Sequence, residues 1–205
     1  MADAHGDRPL PLRLAAPADI PALRTLIADS ARGLSAGFYS DAQIEAAVAH
    51  VFGVDTQLIA DGSYFVIDGP DAPVAAGGWS ARRTLFGGDQ MKRGADYRLD
   101  PTSEPARIRA FFVHPQWARR ALARRLHAAC AHAAHAAGFR TFELMATRPG
   151  EPLYAALGFT VVERVVLTLP GAVDVPFARM RAPIATSSAG TTHDDAHDDA
   201  RHAPA

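Results

Sequence analysis

Cysteine is nearly absent from this 205-residue sequence, with Cys130 standing alone. A single thiol can neither close an intrachain disulfide nor build a thiolate zinc cluster. No apolar run approaches the roughly 20 residues that a membrane-spanning helix needs. The opening MADAHGDRPL has acidic residues and no hydrophobic stretch, unlike a secretory signal. An excess of either charge is also missing. With 21 Lys+Arg against 22 Asp+Glu the formal charge is −1. Binding to nucleic acid or to an anionic membrane needs a clustered basic surface, so neither partner is expected. The expected setting is cytoplasmic. The nucleotide signatures GxxxxGK(S/T) and GxGxxG are absent, which argues against a kinase or a dinucleotide oxidoreductase. Ser35, Ser40 and Ser80 lack the Gly-x-Ser-x-Gly elbow of a serine hydrolase.

What is present suits one globular domain. Apolar residues make up 48% and charged residues 21%, and a chain this long can bury a full core. The stretch TSSAGTTHDDAHDDARHAPA, residues 186–205, has almost no large apolar side chain and cannot offset its own ordering entropy. It holds four Asp and one Arg, so without it the body stands near +2, still close to neutral. Residues 1–10 are polar and expected to fray. The folded domain is therefore expected over 11–185.

Leu12 to Ala15 reads as a first strand. Asp19 is placed to cap a helix with Pro21 in its first turn. Ile20, Leu23, Ile27, Ala31 and Leu34 give that helix its apolar stripe, and Gly33 is a stop. Ser40 and Gln43 form a capping box at a second helix, with Tyr39 and Ile44 as a hydrophobic staple. Residues 55–60 lean towards a short helix. Ser63–Asp68 and Val74–Ser80 make a hairpin around GPDAP. Residues 81–104 form a long irregular loop, and such loops are usually functional or mobile. Ile108–Val113 is a strong strand stopped by His114-Pro115. A helix starts a few residues on and runs to Ala137, with Leu122, Leu126, Ala129, Ala133 and Ala137 along one face and Gly138 as its stop. Thr141–Ala146, a short helix over 150–157, and strands Thr160–Leu169 and Val173–Met180 complete the chain. The order β-α-α-β-β-β-α-β-α-β-β is an α/β plan with one mixed sheet.

The chemistry concentrates in FFVHPQWARRALARRL, residues 111–126. A central strand stops and a helix opens with the small residues Ala118, Ala121 and Ala123. The first N–H groups of a helix lack internal partners and carry about half a positive charge. Small side chains there let an anion, above all a pyrophosphate, approach the amides. Arg119, Arg120, Arg124 and Arg125 add cationic donors. Basic residues are unfavourable at a helix start unless an anion is present, which strengthens the case for one.

The strand ending Phe111-Phe112-Val113-His114-Pro115, the segment Trp117 to Ala123, and Leu153-Tyr154-Ala155-Ala156-Leu157-Gly158-Phe159 together resemble the GNAT superfamily of acyl-CoA-dependent N-acyltransferases. The element order fits from about Leu12 to Ile184. The resemblance implies an α/β (α+β) fold with a mixed, mostly antiparallel central sheet flanked by helices. It implies acetyl-CoA as co-substrate, no metal, and a small-molecule or peptide amine as acceptor, with a homodimer as the candidate assembly. In the family, Arg/Gln-x-x-Gly-x-Gly/Ala follows the strand, and its amides hold the acyl-CoA pyrophosphate. Ala123 obeys that pattern; Ala118 and Ala121 depart from it. The methyl at 121 is expected to weaken cofactor binding without blocking the amides, since alanine accepts ordinary helical torsions. Phe111, Phe112 and Val113 are implied to pair with the pantetheine arm through their backbone. Arg119, Arg120, Ala121, Leu122, Ala123 and Arg124 are implied to line the pyrophosphate.

The same resemblance makes Tyr154 the acid that protonates the departing thiolate, chemistry a phenol with a pKa of about 10 can perform. Many relatives carry a base glutamate where this chain has Arg107, and an asparagine where it has Thr147. Glu104, Glu143 and His114 are the nearest substitute bases; a water chain or an amine arriving neutral serves equally. A catalytically inactive acyl-CoA sensor is the rival function. His127, His132 and His135 on the Ala-rich helix are expected on a solvated face rather than around a metal, and Cys130, one position off the buried stripe, in the core. Trp79, Phe86 and Tyr97 are candidates either for a substrate wall or for an ordinary loop cluster.

Overall fold

A computed structural model describes residues 9–185. The polar tail 186–205 and nearly all of the first ten residues lie outside the described residues. The strands are β1 (Leu12–Leu14), β2 (Tyr64–Asp68), β3 (Pro73–Ser80), β4 (Ala106–Val113), β5 (Thr141–Thr147), β6 (Thr160–Leu169) and β7 (Val173–Pro183). The helices are α1 (Ile20–Ser35), α2 (Asp41–His50), α3 (Thr56–Ala60), α4 (Leu122–Ala136) and α5 (Glu151–Ala155). One 7-stranded sheet runs β1-β2-β3-β4-β5-β7-β6. Every neighbouring pair is antiparallel except β4 with β5. The fold class read from the sequence is thereby borne out, and the short helix favoured over 55–60 is α3, capped by Asp55.

Strand alternation sends side chains to two cores. Phe142, Leu144 and Ala146 of β5 pack with Cys130, Ala131 and Ala134 of α4 on one face. Val66 and Ala76 meet Leu23, Leu26 and Ile27 of α1 on the other. Beside them, Val175 and Phe177 of β7 meet Ile44 and Val51 at α2. The stripe expected on α1 is buried in its central members, and the Ser40 box closes as expected. Gln43 N donates to Ser40 Oγ at 3.3 Å, and Ser40 N to Gln43 Oε1 at 3.0 Å.

Four local expectations are corrected. Gly33 does not end α1, which continues to Ser35; a Cβ there would lie 2.3 Å from Pro115 Cγ, so the glycine lets α1 press on the β4–α4 connection. Asp19 precedes α1 but caps none of its amides. Its carboxylate instead accepts from Ala16 N at 2.7 Å and pairs with Arg13. The buried line of α4 runs Leu122, Leu126, Cys130, Ala134 rather than through Ala129 and Ala133, so Cys130 sits in it. Alanine on every side leaves no apolar contrast to set the phase. His127 is not on a solvated face: its ring packs edge-on against Phe142 at 5.9 Å and Phe159 at 5.8 Å, while His132 is exposed.

Candidate active site

The parallel pair is short. β4 and β5 are in register only at Ala106–Phe142 and Arg107–Glu143. Beyond that point β4 carries a bulge, where Ala110 and Phe111 face only Gly77 of β3 and Ala110 takes φ +53°. An extra residue bends and twists the bulged strand, and here it turns β4 away from β5. The gap opens into a cavity of about 220 Å³. Its walls include Ile108 to Val113 of β4, Met145 and Thr147 of β5, Ala123 at the start of α4, and Tyr154 of α5.

At one mouth lies the β4–α4 connection. A single turn over Pro115–Trp117 is followed by Arg119 at φ +60° and Ala121 at φ +58°, and α4 begins at Leu122. Alanine at 121 is therefore not in a helical torsion, which corrects the expectation for that position. It holds the left-handed conformation in which the family's glycine costs nothing and L-residues cost about 1–2 kcal/mol. The first helical bond is Arg125 N to Ala121 O. Among the described residues, the amides of Arg119 to Arg124 have no protein acceptor. Successive N–H groups in such a loop form an anion-binding concavity, and the helix dipole points into it. Arg119, Arg120 and Arg124 are exposed around it, with Arg120 resting on the Trp117 ring at 4.6 Å. Arg125 is turned away and donates to Leu10 O at 2.6 Å.

Of the strand residues assigned to the pantetheine arm, Phe111, Phe112 and Val113 all line the cavity. The Val113 amide is already engaged, donating to Ser30 Oγ of α1 at 3.1 Å. Phe111 lies over Gly77, where a Cβ would meet its ring at 2.6 Å, and its ring centroid is 6.4 Å from that of Tyr154.

Tyr154 projects from α5, which Gly158 terminates at φ +87°. The residue is 8% exposed and packs edge-on against Phe159 at 5.6 Å. Its hydroxyl makes none of the side-chain hydrogen bonds of the described residues, and the side chain lines the cavity. Burial pushes the phenol above its ordinary value, with a smaller push from the neighbouring Cys130. It stays protonated at neutral pH and available as a donor. Burial likewise raises the Cys130 thiol, a core residue rather than a nucleophile.

None of the substitute bases reaches the cavity. Glu143 is buried against Arg107 and Arg181, the latter at 2.9 Å. Glu104 caps Asp100 N at 2.8 Å, and His114 caps Gln116 N at 3.3 Å. Of the loop aromatics only Phe86 lines the cavity. Trp79 packs on Phe139 at 6.0 Å in the α4-side core, and Tyr97 is 67% exposed. Thr147, in place of the family's asparagine, lines the cavity and accepts from Gly150 N at 3.2 Å.

A fully buried ion pair beside the cavity has no local signature in the sequence. Arg109 Nη2 donates to Asp55 Oδ2 at 2.7 Å and to Gly87 O at 2.6 Å, and Nη1 donates to Thr84 O at 2.9 Å. Lys92 pairs with the other oxygen of Asp55. This network ties the long loop to β4. Arg109 sits within β4, but its partner lies more than fifty positions away. Phe52 and Phe177 also line the cavity, and no motif in the sequence singles them out.

Among the described residues, no helix is long and apolar enough to cross a membrane, and no cluster of metal-ligating side chains occurs. Residues 98–169 match the family model described as an acetyltransferase (GNAT) domain. No curated protein matches the sequence. A GCN5-related N-acetyltransferase from Rhodopseudomonas palustris superposes with a TM-score of 0.61 at 19% identity, covering 88% of this chain and 99% of its own. The PaiA N-acetyltransferase of Thermoplasma acidophilum, in complex with coenzyme A, gives 0.56 at 13% identity, covering 86% and 99%. YncA of Salmonella typhimurium, with its cofactor acetyl-CoA, gives 0.54 at 14% identity, covering 90% and 99%. The chain thus has the GNAT fold, and the segment from just before β4 to the end of β6 matches the GNAT acetyltransferase domain family.

Proposed function

We propose that this protein is an N-acetyltransferase that moves the acetyl group of acetyl-CoA to a primary amine by direct attack. The observation that carries the proposal is one continuous path. It runs from an amide-lined, arginine-rimmed concavity at the head of α4, along the splayed edge of β4, to an unpartnered phenol. Amides 119–124 and the exposed Arg119, Arg120 and Arg124 suit a diphosphate. The open backbone of β4 suits an extended amide-bearing arm. Acetyl-CoA supplies the thioester whose carbonyl the amine attacks.

Tyr154 then has one task. As the C–S bond breaks, its hydroxyl gives a proton to the sulfur, and the proton shed by the nitrogen passes to water. The rival, a sensor that binds acyl-CoA without turnover, is favoured by the lack, among the described residues, of any lining carboxylate or imidazole to act as base. Tyr154→Phe separates the two. Transfer is expected to fall about 10²–10⁴-fold in kcat while the thermal shift given by acetyl-CoA is unchanged. A protein that gives a thermal shift with acetyl-CoA yet releases no thiol with any amine, before or after the substitution, is a sensor.

A further inference from the structure

The acceptor end of the cavity has a chemistry of its own. It lies between α1, the residues after α2, the long loop and β7, and its walls are Leu34, Val51, Phe52, Phe86, Met145 and Phe177. Phe177 is the hub: its ring centroid is 6.5 Å from Phe52 and 6.0 Å from Phe86, and Phe52 stands edge-on to Phe112 at 5.9 Å. Among the described residues, no Asp, Glu or His lines the cavity, and Arg109 is the one charged lining residue. The carboxylate behind it is spent. Asp55 is 1% exposed, with one oxygen on Arg109 and the other on Gln57 N and Lys92.

An ammonium entering this chamber would lose its hydration, meet a guanidinium, and find no counter-charge. A neutral amine loses far less. The apolar walls reward a flat or branched hydrocarbon body by burial and edge-to-face contact. With no lining base to take a proton, an acceptor that needs deprotonation must lose it before entry. Building on the transferase function proposed above, we infer that the acceptor is an apolar, aromatic amine that enters as the free base. A weakly basic arylamine meets every condition, because it is uncharged at neutral pH. Polyamines and lysine side chains fail on charge, and amino sugars, though weaker bases, fail on their polar hydroxylated body.

The test uses the full-length protein with acetyl-CoA and thiol release as readout, comparing p-toluidine and phenethylamine with spermidine and glucosamine. Both aryl amines are expected to exceed the polar pair by at least about 100-fold in kcat/KM. For phenethylamine kcat/KM should rise with pH in step with its free-base fraction, while for p-toluidine it should stay flat around neutrality. Phe86→Ala, on a loop rather than in the sheet, should raise KM for phenethylamine and leave KM for acetyl-CoA unchanged. A thermal shift with acetyl-CoA together with preferred turnover of spermidine or glucosamine overturns the acceptor inference and leaves the transferase standing. No thermal shift and no thiol release with any amine overturns both.

Discussion

Replacing Ala121 with glycine should stabilise this protein, although glycine is ordinarily the poorer choice in and around a helix. Ala121 sits at φ +58° as the residue before α4. An L-residue held there gives up about 1–2 kcal/mol that glycine does not. Glycine returns roughly 0.4–1 kcal/mol of that through the larger freedom of the unfolded chain. The balance is a gain of about 0.5–1 kcal/mol, a rise in Tm of roughly 1–4 °C for a domain of this size. Ala128 is the control. It is exposed in the middle of the same helix, where the identical change costs about 1 kcal/mol and lowers Tm by roughly 2–4 °C. Scanning fluorimetry of both variants, checked by urea denaturation, reads the sign directly. Equal losses at the two sites would refute the left-handed assignment, and with it the claim that the loop is held open under strain. The Ala121→Gly protein should also keep its full thermal shift with acetyl-CoA, since the amides point the same way.

Three further outcomes follow from the geometry. Arg109→Met strands the buried Asp55 carboxylate with Lys92 alone and should cost about 3–5 kcal/mol in urea denaturation, whereas adding Asp55→Asn should recover part of the loss. Desolvation lowers the pKa of His127, whose Nε2 is buried without a partner; the unfolded chain therefore binds its proton first, and stability should fall as pH drops below about 6.5. His127→Leu should flatten that part of the Tm–pH curve, and an unchanged slope would remove His127 as its source. Arg124→Glu should raise KM for acetyl-CoA with kcat unchanged, and the effect should shrink as salt is added because the side chain is exposed.

Most of the architecture was legible because it rests on local signals. The Ser40–Gln43 box, the apolar stripe of α1, the Gly138 and Gly158 stops and the period-two strands each act within a few residues. The features that were missed depend on distance or on torsion. Asp55 and Arg109 are far apart in sequence and meet only once β4 is laid beside the long loop. Phe52 and Phe177 come from two distant segments, and nothing local distinguishes a cavity wall from a core. Gly33 looked like a helix stop, because the proline it makes room for arrives 82 positions later, at Pro115.

Ala121 shows why composition misleads at a functional turn. By residue type, alanine for glycine looked like one methyl of lost affinity within a regular helix. The backbone instead adopts the glycine conformation regardless, and does so at Arg119 as well. Strained torsions persist only where the surroundings over-determine them, and here both flanks are clamped. Pro115 is pressed against Gly33 of α1, and Arg125 is tied to Leu10 O at 2.6 Å. Two L-residues left-handed within three positions cost about 2–4 kcal/mol together, a large share of a typical 5–15 kcal/mol of stability. A scaffold with no ligand gains nothing from that outlay, whereas a diphosphate site gains a run of bare amides. The loop therefore argues for binding, which sensor and enzyme share. The phenol left without a partner at the far end of the same channel is what favours turnover.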